Sequence, residues 1–223
     1  MTAVDAVLFD LDDTLCEYRR GGAELLSLAF DDVGVDPFFG VDEYHARYEE
    51  FLAETDDMVE LRRECFAALA ADRDRDPDLG RAVADAFAAE RDHGNVRPLP
   101  GAAEAVERLA ADHRLAVLTN GAPGMQSEKL AALPFRDAFE AVVHAGYDAP
   151  RKPEPEPYHH ALDLLDATPE RAVHVGNSLT TDVPGAHAAG VRSAWLSDGS
   201  DPDPEPHYRL GSLRDLTTPP WLG

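Results

Sequence analysis

Three short apolar runs in this chain each end on a small polar cluster, and that recurrence limits the possible folds more than any other feature. Val7-Leu8-Phe9 leads into Asp10-Leu11-Asp12-Asp13-Thr14, Leu115-Ala116-Val117-Leu118 into Thr119-Asn120-Gly121, and Val173-His174-Val175 into Gly176-Asn177-Ser178-Leu179-Thr180-Thr181-Asp182. Apolar runs that are continuous rather than alternating read as strands covered on both faces, the mark of a parallel sheet. Strand cores are expected near residues 4–9, 115–119, 141–145, 172–176 and 193–196, with helical spacing near 124–132, 157–165 and 182–189 between the last four. A further helix, 102–112, starts after the breaker Pro98-Leu99-Pro100-Gly101. The expected class is α/β, a doubly wound, Rossmann-like parallel sheet with right-handed crossovers. Ligands of such a sheet bind beyond the carboxyl ends of its strands, where the polar clusters fall.

Residues 17–96 do not continue the alternation. Ala23 to Phe30, Val41 to Glu54, Met58 to Asp72 and Leu79 to Arg91 show helix-like apolar spacing, with breakers at Gly34, Pro37, Gly40 and Pro77. The expected organisation is an α/β core of residues 1–16 and 97–223 with a helical insertion over 17–96. A chain of 223 residues with 44% apolar content can bury a core of that size.

Composition narrows the partners. With 43 acidic against 20 basic residues and a net charge of -23, the chain would be repelled by a phosphate backbone and by an anionic membrane surface. No stretch approaches the ~20 apolar residues of a membrane span, and the first strand starts without a basic, apolar leader, so a cytoplasmic protein is expected. Cys16 and Cys65 are too few for a disulfide framework and lack metal-ligand spacing. Lys129 and Lys152 are the only lysines, and the acidic residues are spread along the chain. That pattern fits a surface suited to concentrated salt, a halophilic origin under which stability rises with molar salt.

Asp10 and Asp12 stand two apart where a strand ends and the chain turns, so their carboxylates can converge on one metal ion or one phosphoryl group. Asp10 then reads as a nucleophile and Asp12 as a proton carrier; the plain alternative is a solvated acidic turn. Together with Thr119-Asn120-Gly121, Gly124-Met125-Gln126-Ser127-Glu128-Lys129-Leu130, Lys152 in Arg151-Lys152-Pro153, the Gly176–Asp182 cluster and Tyr208-Arg209-Leu210, the chain resembles the haloacid dehalogenase-like hydrolases over its whole length, and in particular their phosphatase members.

That resemblance implies that the insertion is a cap closing over the site, and that Asp10 forms an aspartyl-phosphate. Asp12 would protonate the leaving oxygen and then deprotonate water. Family members that attack carbon lack this second aspartate. Magnesium would be held by a carboxylate oxygen of Asp10, the backbone carbonyl of Asp12 and an acidic residue of the last cluster. Here the chain departs from the family pattern: Asn177 stands where an aspartate is usual while Asp182 is retained, so Asp182 comes first and Asn177 second as ligand, with Ser178 orienting a carboxylate or a water. Thr119 and the amides of Asn120 and Gly121 would hold phosphoryl oxygens, and Lys152 would stabilise Asp10 and the transferring group. A lysine kept in a chain that otherwise uses arginine suggests that a compact ammonium is needed. Taken alone, Thr119 reads as a helix N-cap or a turn residue.

The implied partner is a small phosphomonoester such as a sugar phosphate, phosphoglycolate or a nucleotide; no oligomeric state is legible. Two rivals are a hydrolase of carbon–halogen or carbon–phosphorus bonds and a phospho-acceptor signalling module, the latter about half this length with its aspartate on a middle strand. His159, His160, His174, His187 and His207 form no metal-ligand pattern, and Ser178 lacks a nucleophile-elbow context. Tyr18, Arg19, Arg20, Arg62 and Arg63 are candidates to face substrate, against the plainer reading of solvated side chains.

Overall fold

Alternate residues of the first strand serve two different cores. Val7 and Phe9 pack with Leu115, Val117, Val173 and Val175, while Ala6 and Leu8 pack with Ala116, Leu118 and Ala172 on the other side. The period of two along each strand thus divides the apolar runs between two layers of helix. The protein is described as a computed structural model covering residues 3–51 and 58–222.

The strands in chain order are β1 (Ala6–Phe9), β2 (Cys16–Tyr18), β3 (Val96–Pro98), β4 (Arg114–Thr119), β5 (Ala141–His144), β6 (Ala172–Gly176), β7 (Arg192–Leu196) and β8 (Tyr208–Leu210). Six of them form one sheet in the order β5-β4-β1-β6-β7-β8, parallel at every pairing. Counted within the sheet this is the 3-2-1-4-5-6 order of a doubly wound fold, and the direction of winding reverses beside β1. The fold class expected from the sequence is the one observed. β8 was not among the expected strands: it is a three-residue edge on which only Leu210 is buried.

The helices are α1 (Gly22–Val33), α2 (Val41–Phe51), α3 (Met58–Ala71), α4 (Pro77–Glu90), α5 (Ala102–Ala110), α6 (Pro123–Ala131), α7 (Glu156–Leu164) and α8 (Asp182–Ala188). Chain contacts separate two units, Met1–Tyr18 with His93–Gly223 and Arg19–Asp92. The antiparallel pair β2–β3, with Cys16 opposite Pro98 and Tyr18 opposite Val96, places residues 17–18 and 93–96 in the sheet unit instead of the insertion.

The second unit holds α1 to α4 around its own aromatic core, in which Phe39, Tyr44 and Phe87 meet Phe66 edge to face at 4.8–5.8 Å. Gly34, at φ 75°, ends α1 in the left-handed conformation. Pro77, expected between two helices, is the first residue of α4, with Asp76 capping the Asp78 amide. The expected extension of the second helix to Glu54 lies outside the described residues. Among the described residues no helix is long and apolar enough to cross a membrane.

Candidate active site

The carboxyl end of β1 sits between those of β4 and β6, so the residues after these three strands are brought together. Asp10 extends β1 by one hydrogen bond, from its amide to the Val175 carbonyl at 2.9 Å, and the chain then turns. Leu15 and Cys16 both donate to the Leu11 carbonyl, and Asp13 adopts φ 56°, a conformation that aspartate tolerates better than most residues.

Lys152 is the centre of the arrangement. Its Nζ donates to Asp10 Oδ1 at 2.7 Å, Asp182 Oδ1 at 2.7 Å and the Leu118 carbonyl at 3.0 Å, which engages all three of its protons. Asn120 fixes the backbone behind it, accepting from the Lys152 amide at 2.9 Å and donating to the Lys152 carbonyl at 3.1 Å. Burial opposes the charge of Lys152, but its two carboxylate partners outweigh burial and raise the ammonium pKa.

The two carboxylates diverge. Burial pushes Asp10 up to about 7 despite Lys152, with the Asp182 charge adding to the rise. Asp182 is as deeply buried, yet Lys152 and His174 hold it well below the usual carboxylate range. His174 Nε2 lies 3.1 Å from Asp182 Oδ1, and the Ser178 amide donates to Oδ2 at 3.0 Å. A Cβ on Gly176 would come within 2.4 Å of Asp182 Cγ, so the glycine makes room for this carboxylate. Tyr158 supports the loop from behind, donating to the carbonyls of Thr181 and Asp182.

Thr119 Oγ1 accepts from the Gly121 amide at 3.2 Å and from Gln126 Nε2 at 2.8 Å. With both lone pairs taken, its hydroxyl proton is left to donate outward. The Gly121 amide is therefore engaged with Thr119. The missing side chain of Gly121 also matters, because a Cβ there would lie 1.9 Å from Gln126 Nε2.

Asp12 stays partly open, its side chain 43% exposed. Oδ1 accepts from Lys129 Nζ at 2.5 Å and Oδ2 from Gln126 Nε2 at 2.7 Å. Asn177 Oδ1 accepts from the hydroxyl of Thr14 at 3.2 Å, and the Asn177 carbonyl from Trp195 Nε1 at 2.8 Å. Ser178 orients Asp182 through its amide; its hydroxyl instead accepts from the amides of Thr180 and Thr181 and holds the turn.

Asp10, Lys152 and Asp182 thus meet directly, Thr119 joins Asp12 through Gln126, Asn120 braces Lys152, and Asn177 binds the nucleophile loop through Thr14. Gln126, Lys129 and His174 were not assigned to the site from the sequence. Lys129 carried a usable signal, since it shares with Lys152 the distinction of being a lysine in an arginine-rich chain. His174, read as a surface or core histidine, is in the core but bonded to a site carboxylate.

Comparison with known proteins identifies the family. Phosphoserine phosphatase of Thermus thermophilus is 37% identical over 147 residues, covering 63% of this chain and 57% of that protein. N-acylneuraminate-9-phosphatase of Rattus norvegicus is 36% identical over 113 residues, covering 48% of this chain and 46% of that one. The matched stretch therefore spans about half the length of these relatives. The hydrolase YfnB of Bacillus subtilis, in a crystal structure bound to magnesium, superposes with a TM-score of 0.79 over 97% of this chain and 98% of its own, at 21% identity, a likeness of fold. Residues 4–190 match the sequence model of the haloacid dehalogenase-like hydrolases, and the chain belongs to that family.

Proposed function

We propose that the protein hydrolyses a small phosphomonoester through an aspartyl-phosphate on Asp10, with magnesium as cofactor. The observation that carries this reading is a deeply buried ammonium shared by two carboxylates, with a third, partly exposed carboxylate two residues from the first. Asp10 Oδ1 is held by Lys152, and Oδ2 has no protein donor among the described residues. That free oxygen attacks phosphorus, the bond to the leaving oxygen breaks, and Asp12 gives the departing oxygen its proton. Water then attacks the acyl-phosphate, Asp12 takes its proton, and inorganic phosphate leaves with Asp10 restored. Thr119 donates its hydroxyl proton to a phosphoryl oxygen, and the Asn120 amide is proposed to do the same. Both phosphatase relatives support phosphoryl over carbon chemistry, as does Asp12 itself.

The residues fit a hard cation. Two buried carboxylates share a single ammonium, and Asp10 is pushed up to about 7, so a further positive charge would restore its ionised, nucleophilic form. Among the described residues no three His, Cys, Asp or Glu side chains converge on one point. The proposed donor set is mixed instead: a carboxylate oxygen of Asp10, the carbonyl of Asp12 and an oxygen from the last cluster, all hard ligands of the kind magnesium takes alongside water. Asp182 already accepts from Lys152, His174 and Ser178, whereas Asn177 is partly exposed and its Oδ1 accepts, among the described residues, only from Thr14. This favours Asn177 as the nearer ligand, the reverse of the order expected from the sequence. When bound, the cation would neutralise charge on the transferring phosphoryl group.

Phosphate release from para-nitrophenyl phosphate and a panel of small phosphate esters, with magnesium or EDTA and in low or molar salt, tests the reading. Magnesium-dependent turnover that Asp10→Asn abolishes is expected. A folded protein without turnover in any condition, or one releasing a single phosphate per chain as a phospho-acceptor module would, refutes it.

A further inference from the structure

Asp12 is the most exposed of the three site carboxylates, yet both of its oxygens are gripped from α6. Gln126 and Lys129 lie three residues apart on one face of that helix and are buried to 1% and 3% exposure. Lys129 is braced in turn: its Nζ lies 4.7 Å from the centre of the Tyr18 ring, and the Tyr18 hydroxyl is 2.7 Å from His93 Nδ1. Gln126 holds two groups at once, Asp12 Oδ2 and Thr119 Oγ1. A carboxylate only accepts, so the amide must turn its NH2 inward, and Oε1 is left buried without a partner among the described residues. A buried oxygen left without a hydrogen bond is a cost to folding. A residue chosen for packing alone would avoid that cost; one chosen to orient Asp12 and Thr119 cannot.

A carboxylate offers about four lone-pair positions. Gln126 and Lys129 occupy one on each oxygen, which fixes the plane of the group and leaves the remaining positions for a leaving oxygen or a water. We propose that Gln126 and Lys129 are positioning residues that hold the Asp12 carboxyl in the orientation from which it exchanges its proton with the leaving oxygen. This rests on the phosphatase reading above. Neither side chain gains or loses a proton; the proton transferred is the one on Asp12.

The test separates orientation of the acid from general support of the loop. A leaving group that needs no proton, as in 2,4-dinitrophenyl phosphate, is insensitive to a misplaced acid, whereas phenyl phosphate depends on it. The readout is the ratio of kcat/KM for the first substrate over the second, which covers the steps through departure of the leaving group and does not depend on how much of a variant is folded. Asp12→Asn sets the ceiling, since general acid catalysis contributes about 10²–10⁴-fold. In both Lys129→Met and Gln126→Leu the ratio is expected to rise toward that ceiling, by about tenfold or more. A ratio within about threefold of wild type in either variant means that losses fall on both substrates alike, and overturns the proposal. Failure of the underlying reading looks different: wild type itself would show no turnover of either ester, or Asp10→Asn would leave it unchanged.

Discussion

Replacing Lys152 by methionine removes the one ammonium that, among the described residues, bonds both Asp10 and Asp182, while filling nearly the same space. Both carboxyls are buried, at 8% and 2% exposure, so neither finds water in place of the ammonium. Breaking a buried ion pair in this way costs about 3–5 kcal/mol, against the ~5–15 kcal/mol that holds a typical domain together. The folded variant limits the loss by keeping a proton on one carboxyl, and this gives the effect a pH signature. Asp10 is pushed up to about 7 even with Lys152 present, and rises further without it. A carboxyl whose folded pKa exceeds its unfolded value contributes stability that is complete at low pH and is lost as pH rises through the folded pKa. Between pH 7 and 8 the wild type has nearly finished losing it, while the variant still gives up about 1.4 kcal/mol per pH unit. The stability gap is therefore expected to be about 3–5 kcal/mol at pH 7 and to widen by about 1 kcal/mol at pH 8. Urea unfolding followed by fluorescence of Trp195 and Trp221, in molar salt with EDTA, measures both numbers. A gap that is absent, or that stays constant across this interval, would refute the claim that Lys152 compensates the two buried carboxylates.

Other consequences are more local. In a thermal melt, Gly176→Ala, which places a methyl 2.4 Å from Asp182 Cγ, should cost about 1–3 kcal/mol together with most activity, whereas a Cβ on Gly124 meets nothing within 4 Å and Gly124→Ala should be neutral or stabilising. Burial holds the pKa values of His187 and His207 below 6.5, and His207 Nδ1 accepts from the Ser193 amide, which a protonated ring cannot do. The unfolded chain therefore takes up protons first as pH falls through about 6.5, and stability drops with it; His207→Asn, which keeps an acceptor, should flatten the dependence of melting temperature on pH between about 7.5 and 5.5, and equal slopes would count against this account. With a net charge of -23, the wild type should gain stability steadily into molar potassium chloride, and indifference to salt would rule out the halophilic reading.

The sheet was legible because buried parallel strands are continuous apolar runs, and β1, β4 and β6 announce themselves in that way. What escaped was held by pairing, not by composition. Cys16–Tyr18 and Val96–Pro98 are three residues each and become strands only because each finds the other across the whole insertion. Within the site, residues at and just beyond strand ends could be read because topology places them: Asp10 follows β1, Thr119 ends β4, and Asp182 opens α8 after β6. Gln126 and His174 could not, and Lys129 only through its rarity as a lysine, because their roles depend on which face of α6 or β6 turns toward the carboxylates. Gly121 shows the same limit. It was expected to serve through its amide, but the amide is engaged with Thr119, and the absent side chain admits Gln126.

The two lysines join composition to mechanism. The chain has no others, every remaining basic residue is arginine, and both lysines are buried against site carboxylates, Lys152 on Asp10 and Asp182 and Lys129 on Asp12. An arginine fork matches two parallel acceptors in one plane; Lys152 instead serves two carboxylates and a carbonyl that surround a point, which suits an ammonium. Three carboxylates with two ammoniums leave the cluster with one net negative charge when all are ionised. A divalent cation would turn that to one net positive charge, enough to admit a phosphate dianion. An aspartate in place of Asn177 would erase that surplus, so under the proposed function the amide at this position would keep the cluster attractive to an anionic substrate, at the expense of the tighter cation binding that a carboxylate would give.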